Sequence, residues 1–273
     1  MIVVTGATGN VGRALVGMLV AAGEDVTAVA RGIGGGDVPA GVRAVAADLG
    51  EPESLVPALE GAKALFLLVA GEDPVGILER AAAAGVARVV LLSSQGVGTR
   101  PGVYAHAARF EAAVADSGLA FTVLRSSGMA SNALAWAGPV REHRTAAAPF
   151  AEVGLPFVDP DDVAAVAAAV LREDGHDGAT YVLTGPTATT PRQRAAAIAE
   201  AIGEPVRFVE QTREEASAQL ARFMPPAVVE GTLAILGEPT EEERRVGGDV
   251  ERVLGRPAAA FGAWAARHAG AFR

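Results

Sequence analysis

Glycine stands at positions 6, 9 and 12 of this 273-residue chain, and glycines so spaced act through the side chains they lack. Ahead of them, Ile2-Val3-Val4 is a short β-branched run, as expected of a strand buried on both faces. Behind them, Val11, Leu15, Met18 and Leu19 recur at helical spacing. The glycines therefore occupy a strand-to-helix turn. Gly6 permits the sharp exit from the strand. Gly9 removes a side chain where a ligand must approach the backbone, and Gly12 lets the helix pack closely on the sheet. Thr8, Asn10 and Val11 share this turn. Free N–H groups of the first helical turn then point at an anion, helped by the helix dipole. That arrangement suits the pyrophosphate of a dinucleotide.

Two further positions carry chemistry by where they fall. Arg31 ends the second apolar run, next to the expected adenosine ribose. An acid there would accept from the 2′-hydroxyl of NAD, whereas an arginine accommodates a 2′-phosphate. NADP(H) is the cofactor this predicts. "LLVAG" (67–71) ends the fourth apolar run, so the backbone at Val69 and Ala70 is expected to line the cofactor's ribose and phosphates.

The elements that must position these residues alternate in type. "EDVTAVAR", "VRAVAADL", "KALFLLVAG", "VARVVLLSS" and "LAFTVLRSS" read as strands two to six. "PESLVPALE", "DPVGILERAAAAG" and Tyr104 to Ser117 read as helices between them, and "GIGGGDVPAG" reads as a loop. Such alternation predicts an α/β fold: a Rossmann-like, doubly wound parallel sheet. "MASNALAWAG" reads as a short helix, followed by an irregular segment from Pro139 to Gly154. "FVDPDDVAAVAAAVLRED" is a helix capped by Asp159 or Asp161, and "ATYVLTG" is the last strand of the sheet. From Thr190 the chain is mostly helical, with "VRFVEQ" as one strand. The expected division is a dinucleotide-binding domain over 1–186 and a smaller, mostly helical lobe over 187–273. Residues 129–155 are expected to contribute to a substrate cleft at the carboxyl ends of the strands.

Composition narrows the partners. Half the residues are hydrophobic and the net charge is −9, with no basic stripe, which argues against nucleic acid. Cysteine is absent, so disulfides, thiolate catalysis and thiolate metal sites are excluded, and no metal is expected. No apolar run approaches the ~18 residues of a membrane span. The first strand begins at residue 2, leaving no room for a signal peptide, so a cytoplasmic protein is expected. A homodimer is allowed, but the sequence does not set the oligomeric state. Lys63 is the only lysine among 23 basic residues, which restricts the catalytic groups available.

"TGATGNVGR" resembles the opening of atypical short-chain dehydrogenase/reductases, and more narrowly of NmrA-like NAD(P)H-binding proteins. "SGLAFTVLRSSGMASN", "VDPDDVA" and "YVLTGP" resemble the same group. The resemblance implies that Asp48 and Leu49 contact the adenine, although Asp48 also reads as a cap for the next helix. It implies that Met129 to Asn132, and so Met129 and Asn132, approach the nicotinamide or the substrate. Ser93 and Ser94 lie where short-chain reductases place a serine on the substrate carbonyl. Read as residues alone, they are equally hydroxyls satisfying backbone groups at a strand end.

Short-chain reductases use Tyr-x-x-x-Lys, in which lysine lowers the tyrosine pKa. Tyr104 begins the corresponding helix, but the residue one turn on is Ala108. Arg109 lies about 140° round the helix and is no simple replacement. His106 is the other titratable group there, either a proton donor or a solvated histidine. Tyr104, His106 and Ser94 are the catalytic candidates. Hydride transfer to a simple ketone makes an alkoxide, which needs a strong, placed acid. Transfer to a quinone makes a phenolate-like anion of roughly pKa 10, which hydroxyls, backbone N–H groups or water can stabilise. The expected function is NADPH-dependent reduction of a quinone or another conjugated or aromatic small molecule. The alternatives are a non-catalytic NADP(H)-binding redox sensor and a ketoreductase using Tyr104 or His106 as acid.

Overall fold

The computed structural model describes all 273 residues. Nine strands form: β1 (Ile2–Thr5), β2 (Val26–Ala30), β3 (Arg43–Ala46), β4 (Ala64–Leu68), β5 (Arg88–Ser94), β6 (Ala120–Ser126), β7 (Thr145–Ala148), β8 (Ala179–Leu183) and β9 (Arg207–Glu210). Seven of them build one sheet in the order β3-β2-β1-β4-β5-β6-β8, with every pairing parallel. The order reverses between β1 and β4, and open α/β sheets bind ligands at such a reversal.

The apolar runs are continuous because both faces of the sheet are covered. Val4, Phe66, Val90 and Leu124 face the helices Asn10–Ala21 and Pro160–Arg172. Val3, Leu65, Leu67, Val89 and Leu91, one residue out of phase, face the helices Pro74–Ala83 and Ala105–Asp116. Asp159 is the cap of Pro160–Arg172, its carboxylate accepting from the Asp161 N–H at 3.0 Å.

A second, smaller core holds Trp264, Phe261, Phe272, Ile198 and Val140. There β7 and β9 pair in parallel. The segment expected to be irregular from Pro139 onward instead contains the helix Ala137–His143 and β7. Pro139 lies in the first turn, where no helical N–H bond is lost. Strand β7 is Thr-Ala-Ala-Ala, which carries almost no strand propensity, so its pairing with β9 makes it a strand. "PESLVPALE" divides into a tight turn over Pro52–Leu55 and a single helical turn over Val56–Leu59. The helix Asp249–Leu254 returns to the main core through Val250, and Asp249 Oδ2 accepts from the Val182 N–H at 2.7 Å. No helix is long and apolar enough to cross a membrane.

Candidate functional site

At the sheet reversal the glycine turn takes its expected form, with one difference. Gly6 has φ +61°, and a Cβ there would lie 2.1 Å from Leu68 Cδ1, so only glycine fits the exit from β1. Gly12 is closed by the turn itself: a Cβ would lie 2.2 Å from Gly6 O. Its lack of a side chain lets the helix start fold back on the preceding loop, rather than on the sheet as expected. Gly9 has ordinary extended backbone (φ −81°), and a Cβ there would meet only Gly6 O, at 3.2 Å. Its missing side chain leaves open space against the backbone, which suits an approaching phosphate.

That space belongs to a cavity of about 710 Å³ along the ends of β1, β2, β3 and β4. Gly6, Thr8, Gly9, Arg31, Asp48, Leu49 and Ala70 line it. Asp48 is exposed and its Oδ1 accepts from the Gly50 N–H at 2.9 Å, so it shapes the loop after β3 without capping the next helix. Gly71 (φ +81°) packs against Leu49 O, where a Cβ would stand 2.3 Å away. Sequence reading assigned no role to Arg13, although it ends "TGATGNVGR". Arg13 lines the same cavity and donates to Thr8 O at 3.3 Å. Asp37 also lines it, its carboxylate accepting from the Gly34 N–H at 2.9 Å.

A neighbouring space of about 480 Å³ continues past Gly9 and Asn10 to Ser131, Asp161 and His268. Val11 is buried in the core, so only its backbone is available to a ligand. Val69 packs into the core facing Pro74–Ala83; Ala70 is the lining residue at that strand end.

The carboxyl ends of β5 and β6 open into a third cavity, of about 250 Å³. Ser94, Tyr104 and Asn132 line it, as do Gln95, Thr99 and Phe157. Met224, Ile235, Leu236 and Glu243 close it from the C-terminal part. Tyr104 lies flat on Gly96, where a Cβ would come within 2.2 Å of the ring. Burial pushes the Tyr104 phenol above its ordinary pKa and Glu243 adds to the rise, while the Ser94 hydroxyl and Arg100 oppose it. Ser94 Oγ also accepts from the Gly96 N–H at 3.2 Å.

Three candidates lie elsewhere. Strand alternation turns Ser93 to the opposite face, where its hydroxyl donates to Glu111 at 2.5 Å; Glu111 is also paired with Arg125. His106 stands beside Glu72, 3.8 Å from its carboxylate, and does not line the cavity. Met129 packs against the main core and bridges to Val158. Arg109 is held by Glu72, donating to its carbonyl at 2.7 Å. Lys63 precedes β4 at the amino ends of the strands, its N–H bonded to Met1 O, opposite the cavities.

Glu243 is a site residue the sequence did not reveal. It is buried, paired with Arg100 at 2.8 Å, and accepts from the Thr99 hydroxyl at 2.8 Å. Burial alone would raise its pKa; the bonds from Arg100, the Thr240 region and Thr99 hold it below the usual carboxylate range. Its one local signal is the capping box with Thr240.

The model of the NAD(P)H-binding family matches residues 6–174. A (4-alkanoyl-5-oxo-2,5-dihydrofuran-3-yl)methyl phosphate reductase from Streptomyces griseus subsp. griseus is 36% identical, over 100% of this chain and 99% of its own. An NAD(P)H azoreductase from Xenophilus azovorans is 32% identical, over 100% and 99%. The structure of an NADPH-dependent quinone oxidoreductase from Escherichia coli, complexed with NADPH, superposes with a TM-score of 0.80 at 25% identity, covering 98% of this chain and 99% of that one.

Proposed function

This chain belongs to the NAD(P)H-binding family, and from that premise we propose that it is an NADPH-dependent oxidoreductase that delivers hydride to a quinone or another conjugated or aromatic acceptor. Arg31 and Arg13 hold the 2′-phosphate end, the turn Gly6–Gly12 holds the pyrophosphate, and Asp48 and Leu49 flank the adenine. The cofactor, when bound, supplies the hydride. The cavity at β5 and β6 takes the acceptor.

One observation carries the choice of acceptor. The only phenol in the cavity has its pKa pushed up, not down, and the position one turn after it is Ala108. Such a phenol can donate a hydrogen bond, but it is a poor acid at neutral pH. The chain therefore suits an acceptor whose reduced form is a delocalised anion. Ser94, Asn132 and backbone N–H groups can stabilise that anion, and water completes the protonation. The relatives named above are, by name, a quinone oxidoreductase, an azoreductase and a reductase of an alkanoyl-substituted oxo-dihydrofuranylmethyl phosphate, which supports this reading.

The test is NADPH consumption with quinones, enones, azo compounds and unactivated ketones offered at equal concentration. Turnover is expected with the conjugated classes. Turnover confined to unactivated ketones would overturn the assignment.

A further inference from the structure

Four charged residues are buried: Asp159, Asp162, Arg194 and Glu243. Three have partners of opposite charge. Asp159 is paired with Arg267, Asp162 with Arg256 at 2.8 Å, and Glu243 with Arg100 at 2.8 Å. Arg194 is 7% exposed, no carboxylate pairs with it, and its Nε has no hydrogen-bond partner. Its guanidinium lies 3.7 Å over the centroid of Phe157 and 5.9 Å from that of Trp136. Aromatic faces attract a cation, but they only partly offset the desolvation of a buried charge. Burial lowers its pKa to about 10, so it remains a cation at neutral pH.

What this cation faces gives it a use. Phe157 lines the acceptor cavity with Tyr104 and Ser94, and Arg194 stands one aromatic ring away. No ion pair in the molecule involves Arg194, and three carboxylates are held by other arginines. Glu243 is held by Arg100, Asp159 by Arg267 and Glu152 by Arg192, and Glu210 accepts from the Ala151 N–H. Arg194 thus places a positive charge one aromatic ring behind the cavity lining, with no carboxylate paired to it.

We propose that Arg194 is a positioning residue of the acceptor site: acting through Phe157, its unpaired charge stabilises an aromatic oxyanion in the cavity. This rests on the cavity being the acceptor site. In that reaction a quinone takes up one hydride from bound NADPH, leaving NADP⁺, and becomes a hydroquinone monoanion. A proton from water then gives the hydroquinone. The charge on Arg194 favours the monoanion, and so the step that forms it.

The probe is 4-nitrophenol, whose phenolate absorbs visibly and resembles that monoanion. It is titrated with pH on the protein saturated with NADP⁺, in wild type, Arg194→Met and Arg194→Lys. Removing one charge at this range should raise the pKa of the bound probe by about one unit, a tenfold change in its phenolate-to-phenol ratio. Arg194→Met should show that rise while melting no lower than wild type, because an apolar side chain removes a desolvated charge. Arg194→Lys, which keeps the charge but cannot stack in plane, should stay within a few tenths of a unit of wild type near neutral pH. Arg194→Gln replaces the methionine variant if that does not fold. An unchanged probe pKa in a folded, charge-free variant would overturn the proposal, as would equal rises in the lysine and methionine variants. Failure of the probe to bind wild type at all would instead overturn the acceptor-site reading, and this proposal with it.

Discussion

Arg31 is exposed at the end of β2, where it lines the same cavity as the glycine turn. A guanidinium there can make bidentate bonds to a 2′-phosphate, and losing a charge-assisted bond of that kind typically costs ~1.5–3 kcal/mol. Arg31→Ala should weaken NADPH roughly ten- to hundredfold and leave NADH nearly unchanged, as read by calorimetric titration of both cofactors. Equal losses would remove Arg31 from the 2′-phosphate. Tyr104 gives a second expectation. With its phenol pushed above its ordinary pKa, Tyr104→Phe should keep kcat on a quinone within about tenfold, against the ~10²–10⁴ typical of a true proton donor. A thousandfold loss in a variant with wild-type circular dichroism would make Tyr104 the acid. Single residues were readable where a backbone rule fixes them, as at Gly6. They were not where the face of a strand decides. Ser93 and Ser94 are neighbours of one type, and only the register of β5 separates the one beside Glu111 from the one in the cavity.

At the scale of elements, the turn from β1 into Asn10–Ala21 separates two roles that the three glycines share in sequence. Gly6 and Gly12 are closed by their own surroundings, whereas a Cβ at Gly9 would meet only Gly6 O, at 3.2 Å, and otherwise faces the cavity. Gly9→Val should therefore abolish NADPH binding yet shift the melting temperature of the cofactor-free protein little. Normal binding by this variant would show that the turn does not meet the pyrophosphate. The short helix Glu241–Arg244 is latched to the cavity at the ends of β5 and β6 by Glu243 on Arg100 and by Gln95 Nε2 donating to Glu242 O at 3.0 Å. The folded-state pKa of Glu243 is depressed, so its pairing stabilises the fold above the unfolded carboxylate range and is lost as pH falls through the depressed value. Glu243→Gln should cost ~2 kcal/mol at neutral pH, and thermal melts across pH should show the gap closing on acidification. A gap that widens in acid would contradict the pairing. Alternating strands and helices were plain in the sequence because both faces of the sheet bury apolar residues. The helix at Ala137–His143 and strand β7 were not, because tertiary pairing with β9 supplies what Thr-Ala-Ala-Ala lacks.

Taken whole, the molecule places a dinucleotide-sized groove at the sheet reversal and a smaller cavity two strands away, closed by residues 224–243 from the far end of the chain. The groove was legible from the first dozen residues. The closing segment was not: Thr232, Ile235 and Leu236 carry no motif, and only the fold brings them over Ser94 and Tyr104. The most direct measurement is a single turnover. Protein loaded with one equivalent of NADPH is mixed, without oxygen, with excess quinone or with an unactivated ketone, and the nicotinamide absorbance is followed while the product is identified. Complete loss of that absorbance is expected with quinone, matched by one equivalent of hydroquinone, and no loss with the ketone. NADPH that stays bound and unoxidised with quinones and every other conjugated acceptor would contradict that expectation, and would leave a protein that holds the cofactor without using it.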